Sequence, residues 1–186
     1  MRRFLIAVGV SLGVAVFIAG NSPARLQADS EHNHKVAITD DCDQTDLTWG
    51  TVGGCFKAGT VTLAEFRALL SSPNSPTTVV GHPSWRIDPG LLVIEAGERL
   101  RVRNTGGRAH TFTEVANFGG GKIPPPAGTG LNKGLIEAPE CPASVDIPPG
   151  QRGADVKGLA LGLHKFQCCI HPWMRGTVRV VSDDED

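Results

Sequence analysis

The chain has 186 residues, room for one domain or one domain with an extension but not for two full cores. Apolar residues make up 40% and charged residues 20%, a balance that excludes a disordered chain, and a formal net charge of −1 offers no basic surface for nucleic acid. Gly (23) and Pro (13) are abundant, which favours short elements separated by turns and an all-β chain.

Met1-Arg2-Arg3 opens an apolar or small-residue run from Phe4 to Gly20, the layout of a secretory signal peptide. The run is barely shorter than a membrane span, so a retained anchor is the competing reading. Only Asn21-Ser22-Pro23-Ala24-Arg25 follows it, with no basic stop-transfer cluster, which favours cleavage near Ala28. Residues 1–28 are therefore expected to be removed, leaving a periplasmic or secreted protein without a membrane span. Its net charge becomes −4, and it ends in the acidic tail 183–186. An oxidising compartment of this kind permits disulfides.

Residues 29–76 do not read as sheet and are expected to form an N-terminal extension. His32 and His34 resemble a loose metal tag, although an exposed, disordered stretch is the simpler reading. Thr62-Leu63-Ala64-Glu65 is a capping-box pattern, and Leu63, Phe66, Leu69 and Leu70 share one face, predicting a short helix over 63–71. Ser71 to Pro76 ends it.

From Thr77 to about residue 182 the apolar period changes to two. Leu91–Ile94, the Leu100/Val102/Asn104 alternation against three arginines, His110–Val115, Val145–Ile147, Ala154–Leu159, Leu163–Cys168 and Thr177–Val181 read as strands. A loop rich in Gly and Pro spans 118–134. Short strands between Gly and Pro turns predict a Greek-key β-sandwich.

Chemistry concentrates in Phe166-Gln167-Cys168-Cys169-Ile170-His171-Pro172-Trp173-Met174. A thiolate, an imidazole and a thioether lie within seven residues, and His110 waits upstream after Gly106-Gly107. One distant His plus Cys, His and Met in a tight loop is the donor set of a blue copper site. Thiolate and thioether favour Cu(I), and imidazole accepts both oxidation states.

In these motifs the chain resembles the cupredoxins over roughly residues 81–181. The spacing Cys168-x-x-His171-x-x-Met174 is similar to the short ligand loop of amicyanin. Leu91 to Gly97, then Arg103-Asn104-Thr105 and His110, match the family's strand, Gly turn, strand, Asn, His order. The resemblance implies one type 1 copper ion held by His110, Cys168, His171 and Met174. Strand alternation puts Cys168 on the face of Phe166, and Cys168 has the family's gap to His171, so Cys168 rather than Cys169 is assigned as the ligand. The other four of the five cysteines pair most simply as Cys42–Cys55 and Cys141–Cys169, although sequence does not fix connectivity. A vicinal Cys168–Cys169 disulfide is the alternative that would abolish the site. His82 and His164 are expected to be structural.

Four protein donors leave no open position on the metal, which argues against an enzyme. The resemblance implies an exported one-electron carrier; the alternative is a copper-binding protein for sequestration or delivery. Redox partner proteins are expected to dock near His171 and Trp173, with Pro172 and Trp173 either forming an apolar outer face or simply packing over the loop. The protein is expected to be a monomer.

Overall fold

The structure, a computed structural model, describes residues 33–71, 82–122 and 137–183. The expected signal peptide, His32, the helix stop at 72–76, most of the Gly/Pro loop and the last three tail residues lie outside them.

Nine strands are described: β1 (Asn33–Cys42), β2 (Lys57–Ala58), β3 (Trp85–Asp88), β4 (Leu91–Glu95), β5 (Arg99–Asn104), β6 (Thr113–Glu114), β7 (Val156–Lys157), β8 (Gly162–Gln167) and β9 (Arg175–Val181). One sheet runs β2-β1-β5-β7, with β3 also paired to β1, and the other runs β4-β9-β8-β6. The all-β sandwich expected from the sequence is the fold, with a single α-helix, α1 (Leu63–Ser71), among the described residues.

Alternation builds the core between the sheets. In β5, Leu100, Val102 and Asn104 face inward while the three arginines face out; in β9, Val178 and Val180 do the same against Thr177 and Arg179. Val36 and Ile38 of β1, Ile87 of β3, Ile94 of β4 and Phe166 of β8 complete it.

The segment read as free of sheet is the main correction. β1 lies in the middle of its sheet, parallel to β5 from Asn33↔Arg99 to Ile38↔Asn104 and antiparallel to β3. Its inward positions are Val36, Ile38, Asp40 and Cys42. The period of two is present, but an acid at an inward position conceals it. His34 is accordingly not in a disordered stretch: it belongs to β1, with its Nε2 2.7 Å from Glu98. β3 was likewise not anticipated. In the opposite direction, Val145–Ile147 forms only an isolated bridge from Ile147 to His110, and the 110–115 strand shortens to β6.

The helix forms where its spacing predicts. Thr62 N–H donates to Glu65 Oε2 (2.9 Å) and Glu65 N–H to Thr62 Oγ1 (3.3 Å), the reciprocal capping box. Asp46 adds an acceptor for Leu63 N–H at 2.8 Å, linking the helix start to the 3₁₀ turn Leu47–Val52. Leu63 and Phe66 are buried, and Phe66 lies against Trp49 and Trp85. Residues 43–71 thus cover one end of the sandwich, and the disulfide Cys42–Cys55 fastens that covering to β1.

Candidate metal centre

β8 delivers Cys168 just past its last residue, and the chain turns back through 169–174 into β9. Backbone bonds close this turn: Cys168 N–H donates to the Met174 carbonyl (3.0 Å), and Met174 N–H donates to the His171 carbonyl (2.9 Å). His110 approaches from the connection after β5. It exchanges backbone hydrogen bonds with Ile147, donating at 3.2 Å and accepting at 2.6 Å. Asn104 organises that connection, since its buried amide donates to the carbonyls of Arg108 and Ile147 (both 2.7 Å) and accepts from Gly106 N–H (2.9 Å).

Thr111 sorts the two adjacent cysteines. Its N–H points at Cys168 Sγ (3.3 Å), and its hydroxyl oxygen accepts from Cys169 N–H (2.7 Å). Cys169 turns to the far side of the strand and bonds to Cys141, while Cys168 is a buried free thiol. The pairing that leaves Cys168 free is therefore the one present, and the vicinal disulfide is not. Gln167 is buried on the far side as well, donating to the Gly120 carbonyl, because residues 118–122 and 137–141 cover that face.

The structure brings His110, Cys168 and His171 together. The two Nδ1 atoms are 3.1 Å apart, and each lies 3.6 Å from Cys168 Sγ. One point is about 2.0 Å from all three atoms, the length of a metal–imidazole bond and close to that of a metal–thiolate bond. The surroundings also favour a thiolate at Cys168. Burial opposes ionisation of Cys168, but hydrogen bonds and charge from His110 and His171 pull its thiol down to about 5. Burial likewise opposes protonation of His110, which Asp40 and Cys168 outweigh, raising it to about 9. Each of the two thus favours the charged form of the other, and a metal would compete with a proton for the His110 Nδ1 that faces Cys168. Two imidazoles and a thiolate, with Met174 fully buried at the end of the same loop, fit copper by donor softness.

Two features were not foreseen. The first is Asp40 of β1, 1% exposed, with Oδ2 3.5 Å from His110 Nε2. The signal in the sequence was an acid at an inward strand position, together with the Gly106-Gly107 pair opposite it. The second is an aromatic cover over His171. The ring of His171 lies 5.2 Å from Trp85 and 5.5 Å from Trp173, and Phe66 contacts both tryptophans. Pro172 and Trp173 are buried, so an apolar outer face made by these two is not present; Trp173 packs under the helix instead. His82 sits in the same cluster against Phe66, a structural place as expected. His164 pairs with Glu114 at 2.6 Å rather than joining the core.

No protein-family model and no curated protein matches the chain. Solved structures similar to it are cupredoxins. A purple cupredoxin from Nitrosopumilus maritimus is 21% identical, with 59% of this chain and 94% of that one covered and a TM-score of 0.35. A reduced amicyanin variant is 18% identical, with 61% and 89% covered and a TM-score of 0.35. A Cu(I) amicyanin variant is 18% identical, with 52% and 73% covered and a TM-score of 0.34.

Proposed function

We propose that this protein is an exported mononuclear type 1 copper protein that carries one electron at a time. The observation that supports it most is the triangle of His110 Nδ1, His171 Nδ1 and Cys168 Sγ, with a centre at metal-bond distance from each. Met174 would serve as the weak fourth donor. Bound copper would supply a Cu(II)/Cu(I) couple.

The chain's own residues do the rest. His110 and Cys168 are held by backbone bonds from Ile147 and Thr111, on segments fixed to the two sheets, so the donors need little rearrangement when charge changes. Cys168, His110 and Met174 are all fully buried, which excludes water from that side of the site. Burial of this kind suits retention of a metal better than its delivery. With four protein donors no position remains for a substrate, so an enzymatic role is not proposed.

His171 is half-buried, while His110 and Cys168 are fully buried, and a redox partner would approach the site at His171. The two disulfides suit an oxidising compartment outside the cytoplasm. No helix among the described residues is long and apolar enough to cross a membrane.

The test is addition of Cu(II) to purified protein, followed by titration with a mild reductant. An intense visible thiolate-to-copper band, lost and regained in a reversible one-electron cycle, is expected. A colourless product, or copper that cannot be reduced, overturns the reading. Rapid loss of Cu(I) to a competing chelator would assign the protein to copper delivery instead.

A further inference from the structure

Asp40 is an expensive residue to place where it stands. A carboxylate inside a sandwich loses its hydration, and such groups persist only when paired and hydrogen-bonded. One oxygen, Oδ1, accepts from Gly107 N–H. The other, Oδ2, has His110 Nε2 at 3.5 Å. That Nε2 is itself fully buried and has no hydrogen-bond partner, so the carboxylate is the acceptor within reach.

The backbone opposite is shaped to let these groups meet. A Cβ on Gly106 would lie 2.2 Å from Asp40 Oδ1 and 3.1 Å from His110 Nε2. Any side chain there would occupy the space between carboxylate and imidazole. Next to it, a Cβ on Gly107 would collide with Phe56 at 2.5 Å, so the second glycine lets the 43–71 covering close over the same spot. Arg108 then reaches back to the Gly54 carbonyl and lies over Phe56 and Trp85, fixing that covering from the other side.

Resting on the copper reading, we infer that Asp40 is a positioning residue for the metal site: its carboxylate takes the Nε2–H of His110, leaves the Nδ1 lone pair aimed at Cys168 and His171, and sets a buried negative charge behind the ligand. A ligating imidazole held this way keeps one tautomer and one ring orientation, and its basicity rises. The charge favours the more positive metal state, so Asp40 holds the reduction potential down. β1 therefore contributes to the metal site as well as to the sheet.

The test compares wild type with Asp40→Asn, which keeps the shape and removes the charge. The variant is expected to remain coloured, to retain Cu(II) 10- to 100-fold less tightly against a chelator, and to hold Cu(I) as before. A loss confined to Cu(II) corresponds to a potential raised by about 59 to 118 mV. A second measurement needs no variant: in the Cu(I) wild-type protein, which is diamagnetic, nitrogen NMR should show His110 protonated at Nε2 with a slowly exchanging, hydrogen-bonded proton. Unchanged potential and Cu(II) retention in Asp40→Asn overturn the inference, as does an Nε2 proton exchanging at the solvent rate. If the variant does not fold, the wild-type NMR result decides alone. A colourless wild-type protein overturns the copper reading and this inference together, whereas a coloured wild type beside an unmoved variant overturns only the role of Asp40.

Discussion

Replacing both Cys141 and Cys169 by alanine separates what the adjacent cysteines do. Their disulfide closes a segment with a sequence separation of 28 and ties the 137–141 strip to the end of β8. In the chain-entropy account, cross-linking a loop of that length restricts the unfolded chain by about 12 cal/mol/K, or about 3.6 kcal/mol at 25 °C. The cysteines are fully buried, so the small cavities left behind add to that loss. The metal site should be spared. Cys169 points away from the triangle, and the bond that orients this stretch, from Cys169 N–H to Thr111 Oγ1, uses backbone that alanine keeps. Urea unfolding of the metal-loaded double variant should therefore show stability lower by 3 to 4 kcal/mol, while the visible band and midpoint potential stay at wild-type values. Loss of the band, or unchanged stability, would refute the division of labour between neighbouring residues 168 and 169.

Cys168→Ser should abolish the thiolate-to-copper band and leave both disulfides intact, as an absorption spectrum and a thiol count would show. Met174→Leu should retain copper with a raised potential, because a weak thioether donor is replaced by hydrocarbon; voltammetry checks this. Stability should fall in acid through His82, whose burial pushes it down to about 4 while its Nδ1 accepts from the N–H groups of Ser84 and Trp85. An imidazole depressed in the folded protein costs nothing above the unfolded value near 6.5 and loses stability as pH falls toward 4, by roughly 3 kcal/mol in all. Denaturant titrations of the metal-free protein at several pH values should show this loss in wild type and lack it in His82→Asn.

The loop of the candidate site was legible because its residues are local. Cys168, His171 and Met174 lie within seven residues, and a spacing survives in the sequence even when the fold is unknown. His110 was legible through the Asn104 and Gly106-Gly107 before it, each of which the structure uses in a bond or a close approach. The helix was legible for the same reason, its cap and apolar face being written in steps of three and four residues. What could not be read was the pairing of β1 with the strands and the histidine that face it. β1 pairs with β5 across about 66 positions, and Asp40 reaches His110 across 70. Nothing in residues 33–42 announces a partner so far away.

Asp40 was misleading for a physical reason. Strand recognition counts apolar residues on the inward face, and the acid interrupts Val36, Ile38 and Cys42. A sandwich core does not accept a carboxylate without a partner of its own, so the interruption itself points to a site on the facing element. The same reasoning explains the aromatic cover. Trp49, Phe66 and Trp85 are scattered over three elements, and each alone reads as ordinary core. Of the two readings of Trp173, a docking face or packing over the loop, packing is what the structure shows: Phe66 of α1 and Trp85 of β3 lie against it. Phe66, from the 43–71 segment, thus covers one side of Trp173. Within that cover Trp85 stands edge-on to His171, with 5.2 Å between ring centroids.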